Sequence, residues 1–75
     1  MTKFDKFVNR WFKEFTKEMR PELDLSVNRE YRTVIIQNKK TGHFGMAKCR
    51  EDDSFSSYIG TAIAYAKYRG ADVPK

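Results

Sequence analysis

Tyr31-Arg32-Thr33-Val34-Ile35-Ile36-Gln37-Asn38-Lys39-Lys40-Thr41-Gly42-His43-Phe44-Gly45-Met46-Ala47-Lys48-Cys49-Arg50 reads as a β-hairpin. Residues 31–36 are rich in β-branched and aromatic residues, the composition of a strand. Asn38 to Gly42 is a polar turn, and Gly42 can take the left-handed conformation that hairpin loops of three to five residues need. The return strand, His43 to Arg50, carries Phe44 and Met46 on one side and Gly45, Ala47 and Cys49 on the other. Upstream, Leu23, Leu25 and Val27 alternate with polar residues, so the sheet has two strands, or three if this shorter segment pairs as well.

On either side of the hairpin the hydrophobic period changes to that of a helix. Phe4, Phe7, Val8, Trp11, Phe12, Phe15 and Met19 follow i, i+3, i+4 spacing and span roughly 140° at about 100° per residue. Thr2 and Asp5 are placed for a capping box, and Pro21 disfavours helical geometry at Arg20. A helix is therefore predicted over 3–19. Phe55, Tyr58, Ile59, Ala62, Ile63 and Ala66 predict a second helix over 54–69. Asp53 or Ser54 is its expected N-cap, Glu51 to Asp53 would complement its dipole, and Gly70 with Pro74 would end it. The fold class is α+β: one small domain over 1–75, ordered helix, two- or three-stranded antiparallel sheet, helix. Both helices are expected on one face of the sheet, burying Trp11, Phe15, Ile59 and Ile63.

Seventy-five residues make one domain at most, and so small a chain buries only about 60% of its unfolded surface. The lone Cys49 excludes an internal disulfide framework. No apolar run reaches the length of a membrane span, and Lys3, Asp5 and Lys6 interrupt any signal-peptide core. The expectation is a complete, soluble protein of the cytoplasm, in a bacterial host cell. Fifteen Lys and Arg against ten Asp and Glu give a net charge of +5, which favours polyanionic partners. Residues 1–20 alone hold six cations and three acids.

Those six cations are the most informative feature. Lys3, Lys6, Arg10, Lys13, Lys17 and Arg20 are spaced 3, 4, 3, 4, 3 and fall within roughly 100° of helix arc, opposite the aromatic stripe. Like charges at this spacing repel by about 0.2–0.5 kcal/mol per pair, so helix stability does not favour the arrangement. It fits a surface that tracks phosphates or meets an acidic partner. Lys39 and Lys40 at the hairpin tip, with Arg29 and Arg32 on the adjacent strand, would enlarge the patch if they share its side.

Catalytic chemistry has no comparable basis. His43 and Cys49 lie about 20 Å apart along a strand, too far for a nucleophile–base pair, and one His with one Cys falls short of a zinc site. There is no phosphate-binding glycine loop, paired-carboxylate site, cofactor motif or metal-ligand motif, so the protein is not expected to be an enzyme. Cys49 reads as a small buried structural residue, and His43 as a surface residue near the turn. Gly60 and Ala64 leave one side of the second helix low in charge; this side is expected to pack within the molecule, with self-association as the alternative.

Thr33-Val34-Ile35-Ile36, Met46-Ala47-Lys48-Cys49, Asp53-Ser54-Phe55 and Gly60-Thr61-Ala62-Ile63-Ala64-Tyr65-Ala66-Lys67 resemble the pattern of a group of small uncharacterised phage and prophage proteins of Gram-positive bacteria. The resemblance implies a phage origin and an accessory role, and brings no chemistry. The element order also resembles that of double-stranded-RNA-binding domains. Those domains begin their second helix with a lysine-rich cluster, where this chain has Ser54, Ser56 and Ser57 after an acidic run, so their mode of RNA binding is not implied.

The functional expectation is non-catalytic binding of nucleic acid through Lys6, Arg10, Lys13, Lys17, Lys39 and Lys40, each neutralising a phosphate with little base specificity. The alternative is a protein-interaction module that inhibits or modulates a host or phage protein, using the same cations against an acidic surface or the weakly charged second helix.

Overall fold

A computed structural model describes residues 2–18, 22–48 and 56–73. The elements run α1 (Lys3–Lys17), β1 (Leu23–Asn28), β2 (Thr33–Asn38), β3 (Phe44–Lys48) and α2 (Ser57–Tyr68). The chain is therefore α+β, and the segment at Leu23 to Asn28 is a full third strand.

Both helices start on a side-chain cap. Thr2 Oγ1 accepts from the Asp5 N–H at 3.1 Å and the Asp5 carboxylate accepts from the Thr2 N–H at 3.2 Å, completing the box written into the sequence. α2 begins three residues later than expected. Its cap is Ser56, extended at φ −129°, whose Oγ accepts from the Ile59 N–H, and the expected caps Asp53 and Ser54 lie outside the described residues. Met19, Arg20, the Pro21 stop, Cys49 to Phe55 and Pro74 lie outside the described residues.

The sheet is antiparallel in the order β1-β2-β3. At the β2–β3 turn, Asn38 Oδ1 accepts from the Lys40 and Thr41 N–H groups, and Gly42 sits at φ +79°, where a Cβ would be strained. Arg32 also takes a positive φ, +54°, so β2 starts at Thr33 and not at Tyr31.

Pleating sends Val34, Ile36, Gly45 and Ala47 to one face, all buried, and Phe44 and Met46 to the other, both exposed. α2 lies on the buried face at such close range that a Cβ on Gly45 would come within 2.2 Å of the Ala64 carbonyl oxygen. A Cβ on Gly60 would come within 2.6 Å of Val34 Cγ2. The low-charge, small-residue side of α2 thus packs inside the molecule, as expected.

α1 is stacked on α2 and makes little contact with the sheet. Asn9, midway along α1, meets Tyr58 at the start of α2, and Glu18 meets Arg69 at the end of both, so the two run parallel. Phe15 is the α1 residue that reaches through to Val34, Ile36, Ala47, Ala64 and Tyr65, with Trp11 and Ile63 half-buried at the margin. The helices share one side of the sheet but form two tiers. That arrangement overturns one expected core position: Ile59 is 37% exposed. The sheet and α1 occupy two sides of α2, and Ile59 falls on a third.

Candidate nucleic-acid interface on the first helix

The aromatic stripe of α1 turns inward and fixes where its cations point. Val8 and Phe15 are buried, and Phe12 packs against Tyr58 with ring centroids 4.3 Å apart and ring planes tilted by 43°. The opposite arc carries Lys3, Lys6, Arg10, Lys13 and Lys17, all exposed. Their α-carbons span about 21 Å along the axis, at 1.5 Å per residue. Among the described residues none of the four lysines is in an ion pair, and the Arg10 guanidinium lies over the Trp11 ring, 5.1 Å from its centroid. That contact ties one cation of the row to the packed side of the helix. The sixth member, Arg20, lies outside the described residues.

The hairpin lysines are not part of this row. Lys39 and Lys40 are exposed in the β2–β3 turn, where the Lys39 N–H donates to the Glu22 carbonyl at 2.7 Å. Glu22 and Glu18 line one cleft with Asn38 and Tyr65, which puts the turn at the end of the molecule where α1 finishes. Arg29 and Arg32 occupy the β1–β2 turn, not a strand, at the opposite end of β2. The two turns therefore cannot form one patch with each other. The structure gathers the five helix cations, sets Lys39 and Lys40 toward the Lys17 end, and puts Arg29 and Arg32 at the other end of the sheet.

The sequence reading missed the joint that holds the row in place. The Tyr65 hydroxyl donates to Glu18 Oε2 at 2.7 Å, and Arg69 Nη1 donates to the same carboxylate and to the Tyr65 oxygen. Burial, then the Glu18 hydrogen bond, pushes the Tyr65 phenol above its ordinary range. The hydrogen bond to Tyr65 raises Arg69 in turn. Glu18 lies seven residues after Trp11, hence on the apolar side of α1, a position legible from helix geometry alone. The cleft beside this joint, about 250 Å³, has its polar groups engaged with one another: Glu18 with Tyr65 and Arg69, Asn38 with Tyr68.

Comparison with known protein families, curated protein sequences and solved structures finds no match to this chain. Among the described residues no helix is long and apolar enough to cross a membrane.

Proposed function

We propose that this chain is a non-catalytic accessory protein that binds nucleic acid by its phosphates, along the exposed face of α1. The observation that carries the reading is the row of five exposed cations, whose four lysines have no ionic partner among the described residues. Each neutralised phosphate releases counterions, so such a row favours a polyanion without reading bases. Trp11, Phe12 and Phe15 pack against Tyr65 and Tyr58 of α2, and Asn9 is engaged by Tyr58, so none of these groups is offered on the cationic arc as a stacking platform. A duplex, held by its backbone, suits it better than a single strand. Lys39 and Lys40 extend the contact toward the Lys17 end. The phage-type resemblance of residues 33–67 agrees with a small accessory role in a bacterial cytoplasm.

The test is a folded protein with the row reversed: Lys6→Glu, Arg10→Glu, Lys13→Glu and Lys17→Glu together. Lys and Glu have similar helix propensities, so circular dichroism should be unchanged. Fluorescence anisotropy with short duplex DNA and RNA, at several salt concentrations, should show binding by the wild type that weakens steeply with salt. The slope should fall by about 0.9 per lost contact on duplex DNA. Equal binding by the reversed protein would remove α1 as the surface. Absence of wild-type binding at low salt would point the same cations at an acidic protein.

A further inference from the structure

We propose that a second copy of this chain pairs antiparallel along the free edge of β1, centred on Leu25, to make one continuous six-stranded sheet. β1 is an outer strand, and among the described residues nothing pairs with its far side. The Lys39 N–H donates to the Glu22 carbonyl, which sets the alternation of the β1–β2 ladder. Residues 22, 24, 26 and 28 bond toward β2, so Leu23, Leu25 and Val27 turn their own N–H and C=O groups to the open edge. The side chains of these same three residues lie on the helix-bearing face, opposite Asn38, Ile36 and Val34. Ile36 and Val34 are buried under α2, yet Leu25 and Val27 remain 40% exposed each. At Leu25 and Val27 the edge therefore presents unpaired backbone groups and uncovered apolar side chains together, while Leu23 packs against the core.

A second copy fits this edge because the edge is complementary to itself. Antiparallel pairing about Leu25 sets Leu25 against Leu25, Leu23 against Val27, and Asp24 beside Ser26, so no like charges meet. This matters in a chain of net charge +5, and Leu23 to Asn28 contains no cation. There is also room: α2 stands over β2 and β3, not over β1. The other edge lacks that room, because α2 passes directly above Gly45 on β3, and pairing there would drive two copies of α2 together. A two-fold assembly through β1 closes on itself and leaves no further free β1 edge.

Sedimentation equilibrium of the full chain over a wide concentration range tests this. The wild type should rise from the chain mass of 8.9 kDa toward twice that value. Leu25→Lys places a charge against its own copy and should stay monomeric with an unchanged circular dichroism spectrum. Met46→Lys, on the β3 edge, should dimerise like wild type. If Leu25→Lys fails to fold, Val27→Thr, which keeps strand propensity, should weaken dimerisation by about tenfold, equivalent to about 1.4 kcal/mol. A wild type that is monomeric throughout overturns the proposal. So does a dimer that survives in folded Leu25→Lys, or one broken by Met46→Lys alone. Nucleic-acid binding enters none of these readouts.

Discussion

The two helices of this protein differ in how many of their sides are in use. α1 divides cleanly: its aromatic arc packs on α2 and the core, and its cationic arc faces solvent along its whole length. α2 has no such division, because Thr61, Ala62, Ala64, Tyr65 and Ala66 are all buried, between the sheet on one side and α1 on the other. Small residues are what let a helix be approached so closely from two directions. A surface can therefore change on α1 without touching the fold, whereas most changes facing α2 are changes to the core.

The largest expected effect breaks that close approach. In Gly45→Ala the new Cβ would lie 2.2 Å from the Ala64 carbonyl oxygen and 2.4 Å from the Tyr68 backbone nitrogen. Backbone atoms cannot rotate away as a side chain can, so α2 must lift from β3. Urea unfolding should show a loss of about 3 kcal/mol, at the upper end of overpacking effects. An exposed position on the cationic side of α1, such as Lys6→Gln, should stay within about 0.5 kcal/mol of wild type.

A smaller effect sharpens the comparison at the joint between the helices. Tyr65→Phe removes the hydroxyl that donates to Glu18 and accepts from Arg69, at a cost of about 1 kcal/mol at neutral pH. The pH dependence carries a sign. The folded protein raises the Tyr65 phenol above its ordinary 10.0, mainly through burial and the Glu18 bond. Below pH 10 both folded and unfolded chains keep the proton and the contribution is complete. Above it the unfolded chain ionises first, so stability falls as pH rises toward the folded value. The stability difference between wild type and Tyr65→Phe, followed by urea unfolding from pH 8 to 11, should shrink over that window.

How much of this was legible in the sequence depends on whether the signal was local. The α1 cap at Thr2, the turn from Asn38 to Gly42 and the two strands of the hairpin follow from spacing and residue type within a few positions; alternation alone left open whether residues 23–27 pair as a third strand and which side of β3 faces inward. The two-tier stacking does not. Periodicity tells which arc of a helix is apolar but not which neighbour covers it, and α2, apolar and small on several sides, gives no single direction. Periodicity therefore predicts a buried Ile59, which the structure leaves 37% exposed. The start of α2 was misjudged because Asp53, Ser54 and Ser56 are all good caps, and only the backbone chooses among them. The cationic row was plain from 3, 4 spacing, but its relation to Lys39, Lys40, Arg29 and Arg32 is a matter of which end of the sheet each turn occupies.

The smallest expected effect has an unusual direction. Lys13 stands three residues after Arg10 and four before Lys17, all three exposed on one arc of α1. Each of these neighbours costs the helix about 0.2–0.5 kcal/mol by repulsion. In Lys13→Glu both repulsions disappear. A Glu four residues before Lys17 is also in the better orientation for an attractive pair. Glu14, adjacent in the chain, points elsewhere and does not offset the gain. Lys13→Glu should therefore raise stability by a few tenths to about 1 kcal/mol at low salt, and the gain should shrink as salt screens the charges. The same substitution should weaken binding to duplex nucleic acid. Opposite signs in the two measurements would mean that the lysine at this position is held against the interest of the fold. If stability fell instead, Lys13 would be contributing to the helix itself, and the row would be a structural feature of α1.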